Sequence, residues 1–123
     1  MVEGSSISKQ TADAARRLAT DKSSVMVCLD SYHTYEHVRE ELGLYSPLVT
    51  GGSYLVVFDT AIADLPDELF PDRPWGRDNN PRMAVKEFLA GTSRFVVDAD
   101  IGGKLWLTSN PDGFLKCISD REE

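Results

Sequence analysis

Apolar positions along the chain fall into two short unbroken runs, each ended by an aspartate. Val25-Met26-Val27-Cys28-Leu29 is too short for a helix and rich in branched residues, which predicts a strand buried on both faces. It stops at Asp30. From Thr34 a helical period takes over, with Tyr35, Val38, Leu42 and Tyr45 forming the apolar stripe. Glu36, Arg39, Glu40 and Glu41 are expected to face water, His37 to be a solvated helix residue, and Pro47 to close the helix. Asp30 and His33 then belong to a strand-to-helix turn. Gly51-Gly52 leads into the second run, Tyr54-Leu55-Val56-Val57-Phe58, which ends at Asp59 before Thr60. Two adjacent parallel strands joined by a crossover helix place their carboxyl ends about 5 Å apart. Open α/β sheets bind ligands outside such ends, and Asp30 and Asp59 are expected to meet there.

The remaining elements follow from the same pattern. Val2 to Ser6 reads as the end of a strand running into a turn. A helix is expected from about Ser8 to Thr20, with Ile7, Thr11, Ala14, Ala15 and Leu18 on one stripe and Arg16 and Arg17 suited to its C-terminal dipole. Periodicity fails from Thr60 to Asn80, a proline-rich stretch containing Trp75. A loop of about 20 residues inside a compact domain is usually a functional lid or disordered. Asn80-Pro81 has the form of an N-cap and first helical residue. The helix it opens turns Ala84, Val85, Phe88 and Leu89 inward and stops at Gly91. Phe95–Ile101 and Lys104–Thr108 flank Gly102-Gly103 as a hairpin, with Trp106 in its core. Asn110-Pro-Asp-Gly113 is a turn sequence, and Phe114 to Ile118 a last short strand. The expectation is a single α/β domain over residues 1–118, mostly parallel with a C-terminal antiparallel hairpin, then a charged tail at 119–123.

Composition narrows the partners. A net charge of -7 and a pI near 4.8 argue against nucleic acid or an anionic membrane. No signal peptide and no apolar run near 18 residues can be read, so the expected location is cytoplasmic. Cys28 and Cys117 have no zinc-ligand or CxxC spacing, and Cys28 reads as a small buried thiol. His33 and His37 stand four apart, but His33 precedes the helix, which disfavours a zinc pair.

Longer stretches carry a resemblance. Leu29-Asp-Ser-Tyr-His-Thr-Tyr-Glu-His-Val38, Gly52-Ser-Tyr-Leu-Val-Val-Phe-Asp59, Arg73-Pro-Trp-Gly76 and Lys104-Leu-Trp-Leu-Thr-Ser-Asn-Pro-Asp-Gly-Phe-Leu-Lys116 occur in the order of the cephalosporin hydroxylase/rhamnosyl O-methyltransferase family. The chain resembles that family from Val2 to Ile118. The resemblance implies a three-layer, Rossmann-like methyltransferase sheet using S-adenosylmethionine, with a small molecule or sugar hydroxyl as acceptor. It implies that Asp30 and Asp59 bind Mg²⁺, with substrate oxygen completing the shell, and that Asp30 and His33 act at the reacting hydroxyl. His33 is then a base or a group supporting the ligands. Gly4, Ser5 and Ser6 correspond to the cofactor-side turn.

Two departures stand out. The family usually has an acidic pair where this chain has Phe58-Asp59, and the glycine-rich cofactor loop has no counterpart. The chain therefore reads as the C-terminal half of the methyltransferase domain. A non-catalytic remnant or partner subunit is the alternative. A metal-dependent hydrolase using Asp30 and Asp59 is the weakest reading, because no basic residues are expected beside those acids to hold phosphate. Without a preceding half, the strand Val25–Leu29 is expected at a sheet edge, where unpaired backbone groups favour a two-fold homodimer.

Overall fold

The computed structural model describes residues 1–105 and 107–121. Four strands, β1 (Val27–Leu29), β2 (Tyr54–Val57), β3 (Phe95–Val97) and β4 (Phe114–Cys117), form one sheet in the order β1-β2-β4-β3. The helices are α1 (Lys9–Ala19), α2 (Tyr35–Tyr45), α3 (Pro81–Ala90) and α4 (Ala99–Lys104). The architecture is α/β with a mixed sheet, consistent with a Rossmann-like fold. Only β1 and β2 pair in parallel; β4 is antiparallel to both β2 and β3. The expected mostly parallel sheet is thus corrected. The reversed strand lies inside the sheet, so it makes two of the three ladders antiparallel.

Register builds the core. Val27 lies beside Leu55, Leu55 beside Leu115, Leu29 beside Val57, and Phe95 beside Cys117, so one sheet face carries an unbroken apolar layer. Val38 and Leu42 of α2 and Ala84 and Val85 of α3 cover it. The two helices start where the sequence places them. Thr34 accepts from the His37 amide, and Asn80 accepts from the Met83 amide with Pro81 in the first helical position.

At β1 the other sheet face is exposed, which corrects the reading of Val25–Leu29 as doubly buried, although Val56 of β2 on that face is buried. Met26 and Cys28 are exposed, while Val25 and Val27 are half-buried and Leu29 is buried. Cys28 points away from α2 and α3, so its thiol is not a core group. β1 does lie at the edge. Val2 to Ser6 contains no strand, and in α1 it is Ala12 and Ala19 that are buried while Leu18 is exposed.

The expected glycine hairpin is absent. The Asp98 carboxylate accepts from the amides of Asp100 and Ile101 and starts α4 across Gly102-Gly103, while β3 pairs with β4. A Cβ at either glycine would meet nothing within 4 Å, so the turn signal there was never backed by a backbone requirement. Trp106 lies outside the described residues, as do Glu122 and Glu123. The rest of the charged tail is docked: Asp120 accepts from the Gly51 amide and Arg121 donates to the carbonyls of Ala19 and Lys22.

The same Asp98 also accepts a 2.6 Å bond from the Tyr54 hydroxyl. That bond, with the amides of Ile101 and Asp100, holds the Asp98 carboxyl below its ordinary 3.8 and pushes the Tyr54 phenol up. A carboxyl whose pKa is lower folded than unfolded adds stability above about pH 4, lost as pH falls through the folded value. Asp98→Asn should flatten that acid limb in urea denaturation at stepped pH. An unchanged slope would remove Asp98 from the account.

Candidate active site

The parallel register of β1 and β2 sets Leu29 beside Val57, and the Phe58 amide still donates to the Leu29 carbonyl at 3.1 Å. Asp30 and Asp59 therefore leave the sheet side by side. Asp59 takes the left-handed backbone region (φ 59°, ψ 29°), an uncommon conformation for a non-glycine residue. Asp30, His33 and Asp59 each offer a ligand atom, and these atoms lie within 4.8 Å of one another. His33 Nε2 is 3.2 Å from Asp59 Oδ2. Asp30 and His33 of the turn after β1 and Asp59 at the end of β2 are together in space.

Two carboxylates and an imidazole so spaced fit part of the shell of a divalent cation. Carboxylate oxygen suits hard cations such as Mg²⁺ or Mn²⁺, and Mg²⁺ usually keeps several positions for water and substrate. Phe58 is half-buried and offers no oxygen, so Asp30 and Asp59 are the carboxylates available from these two strand ends.

A cavity of about 600 Å³ opens beside His33 and Asp59. Its wall is built by the aperiodic segment after Asp59, including Ile62, Leu65, Leu69, Phe70 and Trp75. That segment is ordered: 3₁₀ turns at Thr60–Asp64 and Asp67–Leu69 are followed by a bridge between Gly76 and Asn79. The Asp67 carboxylate accepts from the Arg77 amide at 2.8 Å, and Asn79 Oδ1 from the Tyr35 amide at 2.8 Å, tying the segment to α2. Trp75 stands edge-on to His33 (5.0 Å, 82°) and to Tyr32 (5.3 Å, 85°). Arg73, which also lines the cavity, lies over the Trp75 ring at 5.3 Å. Sequence order alone gave no sign of this cation near the acids.

Gly4 and Ser5 are exposed at the surface, while Ser6 enters a polar cluster behind the trio. Ser6 Oγ lies 3.0 Å from His37 Nε2 and 3.3 Å from Ser31 Oγ, and Ser31 donates to Glu41 Oε2 at 3.0 Å. The Tyr45 hydroxyl donates to the Ser6 carbonyl at 2.7 Å; burial, and then the Glu41 charge, raises that phenol above its ordinary value. Glu41 is 2% exposed and His37 half-buried, so neither faces water as the helical pattern suggested. The N-terminal loop covers this side of α2: its Ser6 hydroxyl meets His37 and Ser31, and Ser31 in turn meets the buried Glu41. Ser31, His37 and Glu41 are not a nucleophilic triad. Serine at 3.1 Å and glutamate at 3.6 Å approach the same nitrogen, Nε2, whereas a triad needs the acid on the opposite one. His33 and His37 serve different clusters, so they form no zinc pair.

A sequence model of the rhamnosyl O-methyltransferase/CmcI family matches residues 1–118. The chain belongs to this family. Rhamnosyl O-methyltransferases of Mycobacterium tuberculosis (strain H37Rv) and Mycobacterium bovis (strain BCG Pasteur) are each 33% identical to it over 116 residues, which is 93% of the chain. The match covers 45% of each relative, so this family member spans about half their length. No solved structure matches it. Among the described residues, no helix of this family member is long and apolar enough to cross a membrane.

Proposed function

We propose that the chain is the cation- and acceptor-binding part of an S-adenosylmethionine-dependent O-methyltransferase acting on a hydroxyl of a sugar or other small molecule. The observation that supports this best is the convergence of Asp30, His33 and Asp59 beside a cavity of mixed apolar and polar lining that His33 and Asp59 border, in a member of this family. Methyl transfer from a sulfonium to a hydroxyl oxygen forms one C–O bond, breaks one C–S bond and releases the hydroxyl proton. His33 takes up that proton, and the Asp59 carboxylate, 3.2 Å from its Nε2, compensates the imidazolium charge. Asp30 and Asp59 would hold Mg²⁺, which would lower the pKa of the acceptor hydroxyl. Trp75, edge-on to His33, keeps that ring in place. Gly4 to Ser6 form the cofactor-side border, and the rest of the cofactor site comes from a polypeptide corresponding to the other half of the relatives.

The test combines both parts. The 123-residue chain alone should bind S-adenosylmethionine more weakly than micromolar and turn over nothing. Supplying the N-terminal portion of the mycobacterial relative in trans should yield methyl transfer to a rhamnoside. His33→Ala should then cost about 10² to 10⁴ in rate. Micromolar cofactor binding by the chain alone would contradict the half-domain reading. Failure to recover any transfer would favour a remnant or partner subunit that retains the fold without catalysis, the reading to which Phe58 in place of an acid points.

The β1 edge leads to a further expectation for the isolated chain. Its outer side carries exposed Met26 and Cys28, with no Pro or Lys to discourage pairing. A second copy should occupy that edge as a two-fold dimer. Light scattering that shows a monomer at about 100 μM would exclude it, since pairs weaker than that carry under about 6 kcal/mol.

A further inference from the structure

Asp59 leaves β2 in the left-handed region, which aspartate tolerates better than most residues but which remains uncommon, and its backbone N–H is held from outside β2. Asn110, only 6% exposed, accepts the Asp59 backbone N–H on its side-chain oxygen at 2.8 Å. The same oxygen accepts from the Ser109 hydroxyl at 3.0 Å, and the Asn110 carbonyl takes the Gly113 amide at 2.9 Å to close the turn. Two neighbouring bonds hold the turn against the segment after Asp59. Thr60, fully buried, donates its hydroxyl to the Pro111 carbonyl at 2.6 Å, and the Ala61 amide donates to the Ser109 carbonyl at 3.1 Å.

We propose that Asn110 is the positioning residue for Asp59: its buried amide oxygen fixes the left-handed turn that aims the Asp59 carboxylate at Asp30 and His33. The inference rests on the reading of Asp59 as a cation ligand. It adds a function to a turn that otherwise only reverses the chain before β4. An acceptor atom is required at this point, and a side chain of the right shape is not enough. Asparagine and aspartate both place an oxygen there; leucine fills the space without one, leaving the Asp59 N–H buried and unpaired.

The experiment compares Asn110→Asp and Asn110→Leu with the native chain, reading Mn²⁺ affinity by electron paramagnetic resonance and protection of the Asp59 amide by hydrogen exchange. Asn110→Asp should keep Mn²⁺ affinity within about threefold and the amide protected, whereas Asn110→Leu should lose about tenfold or more in affinity and lose the protection. Equal affinity in the leucine variant would overturn the proposal, as would an equal loss in both variants. If the leucine variant does not fold, the native chain and the aspartate variant decide: an Asp59 amide exchanging as fast as an exposed one overturns it, and a protected amide in both supports it. If the native chain binds no Mn²⁺, the cation reading fails on its own. The exchange measurement still decides whether Asn110 holds the turn.

Discussion

Replacing Gly113 with alanine is expected to remove a large part of the chain's stability. A Cβ at Gly113 would stand 2.3 Å from the Val57 carbonyl oxygen, 3.1 Å from the Asn110 carbonyl oxygen and 3.3 Å from the Asn110 Cβ. The nearest obstacle is backbone of the central strand β2, which cannot rotate aside as a side-chain tip can. The Val57 amide also donates to the Gly113 carbonyl at 2.8 Å, so pushing the segments apart breaks a bond between β2 and the entry to β4. Overpacking costs typically about 1–3 kcal/mol, and a lost buried backbone bond adds about 1–3 kcal/mol. The expected loss for Gly113→Ala is therefore about 2–6 kcal/mol, a large part of a total that for most domains is about 5–15 kcal/mol. Gly103→Ala is the control. A Cβ there meets nothing within 4 Å and the residue lies in α4, so a gain of about 0.5–1 kcal/mol is expected. Urea denaturation that finds the two variants alike would show that the approach of the turn to β2 is not as close as described.

The sheet and its helices were legible in the sequence where local chemistry and burial agree. β2, with three buried residues in succession, is a central strand and reads as one. The caps at Thr34 and Asn80 sit next to the apolar stripes they start, so α2 and α3 could be placed within a residue or two. The meeting of Asp30 with Asp59 needs only two parallel strands joined by a helix, which the pattern contained. Other features depend on neighbours that no local pattern encodes. Cys28 lies in an apolar run yet is exposed, because α2 and α3 cover only the opposite sheet face. Glu41 occupies a polar position of α2 yet is buried, because Ser31 comes from outside the helix to meet it and Ser6 closes over Ser31 and His37. Gly102-Gly103 carried a local hairpin signal, but β3 found its partner in β4, and Asp98 turned the intervening residues into a helix. Trp75 and Arg73 enter the cavity through a segment with no periodicity at all. Its path is set by isolated contacts such as Asp67 with the Arg77 amide.

The second large effect is expected at the acidic pair. Replacing either Asp30 or Asp59 with asparagine keeps the shape and removes one negative charge from the place a cation would occupy. Two unit charges about 4 Å apart at an effective dielectric constant near 20 interact by about 4 kcal/mol, and a divalent ion feels each carboxylate more strongly. Exposure of Asp30 screens part of this, so a loss of about 100-fold per carboxylate is the appropriate scale. The fold should survive both changes, since neither carboxylate has a buried partner and the Asp59 backbone bond to Asn110 remains in Asp59→Asn. Phe58 leaves the native site with fewer oxygens than an acidic pair would give, so binding should be weak from the start.

Titration calorimetry of the 123-residue chain with Mg²⁺ or Mn²⁺, set beside Asp30→Asn and Asp59→Asn, tests this account most directly. The expected result is one weak site in the native chain, with dissociation near the millimolar range, and no measurable binding in either variant. Tight binding that survives Asp59→Asn, or a native chain that binds neither ion, would contradict it.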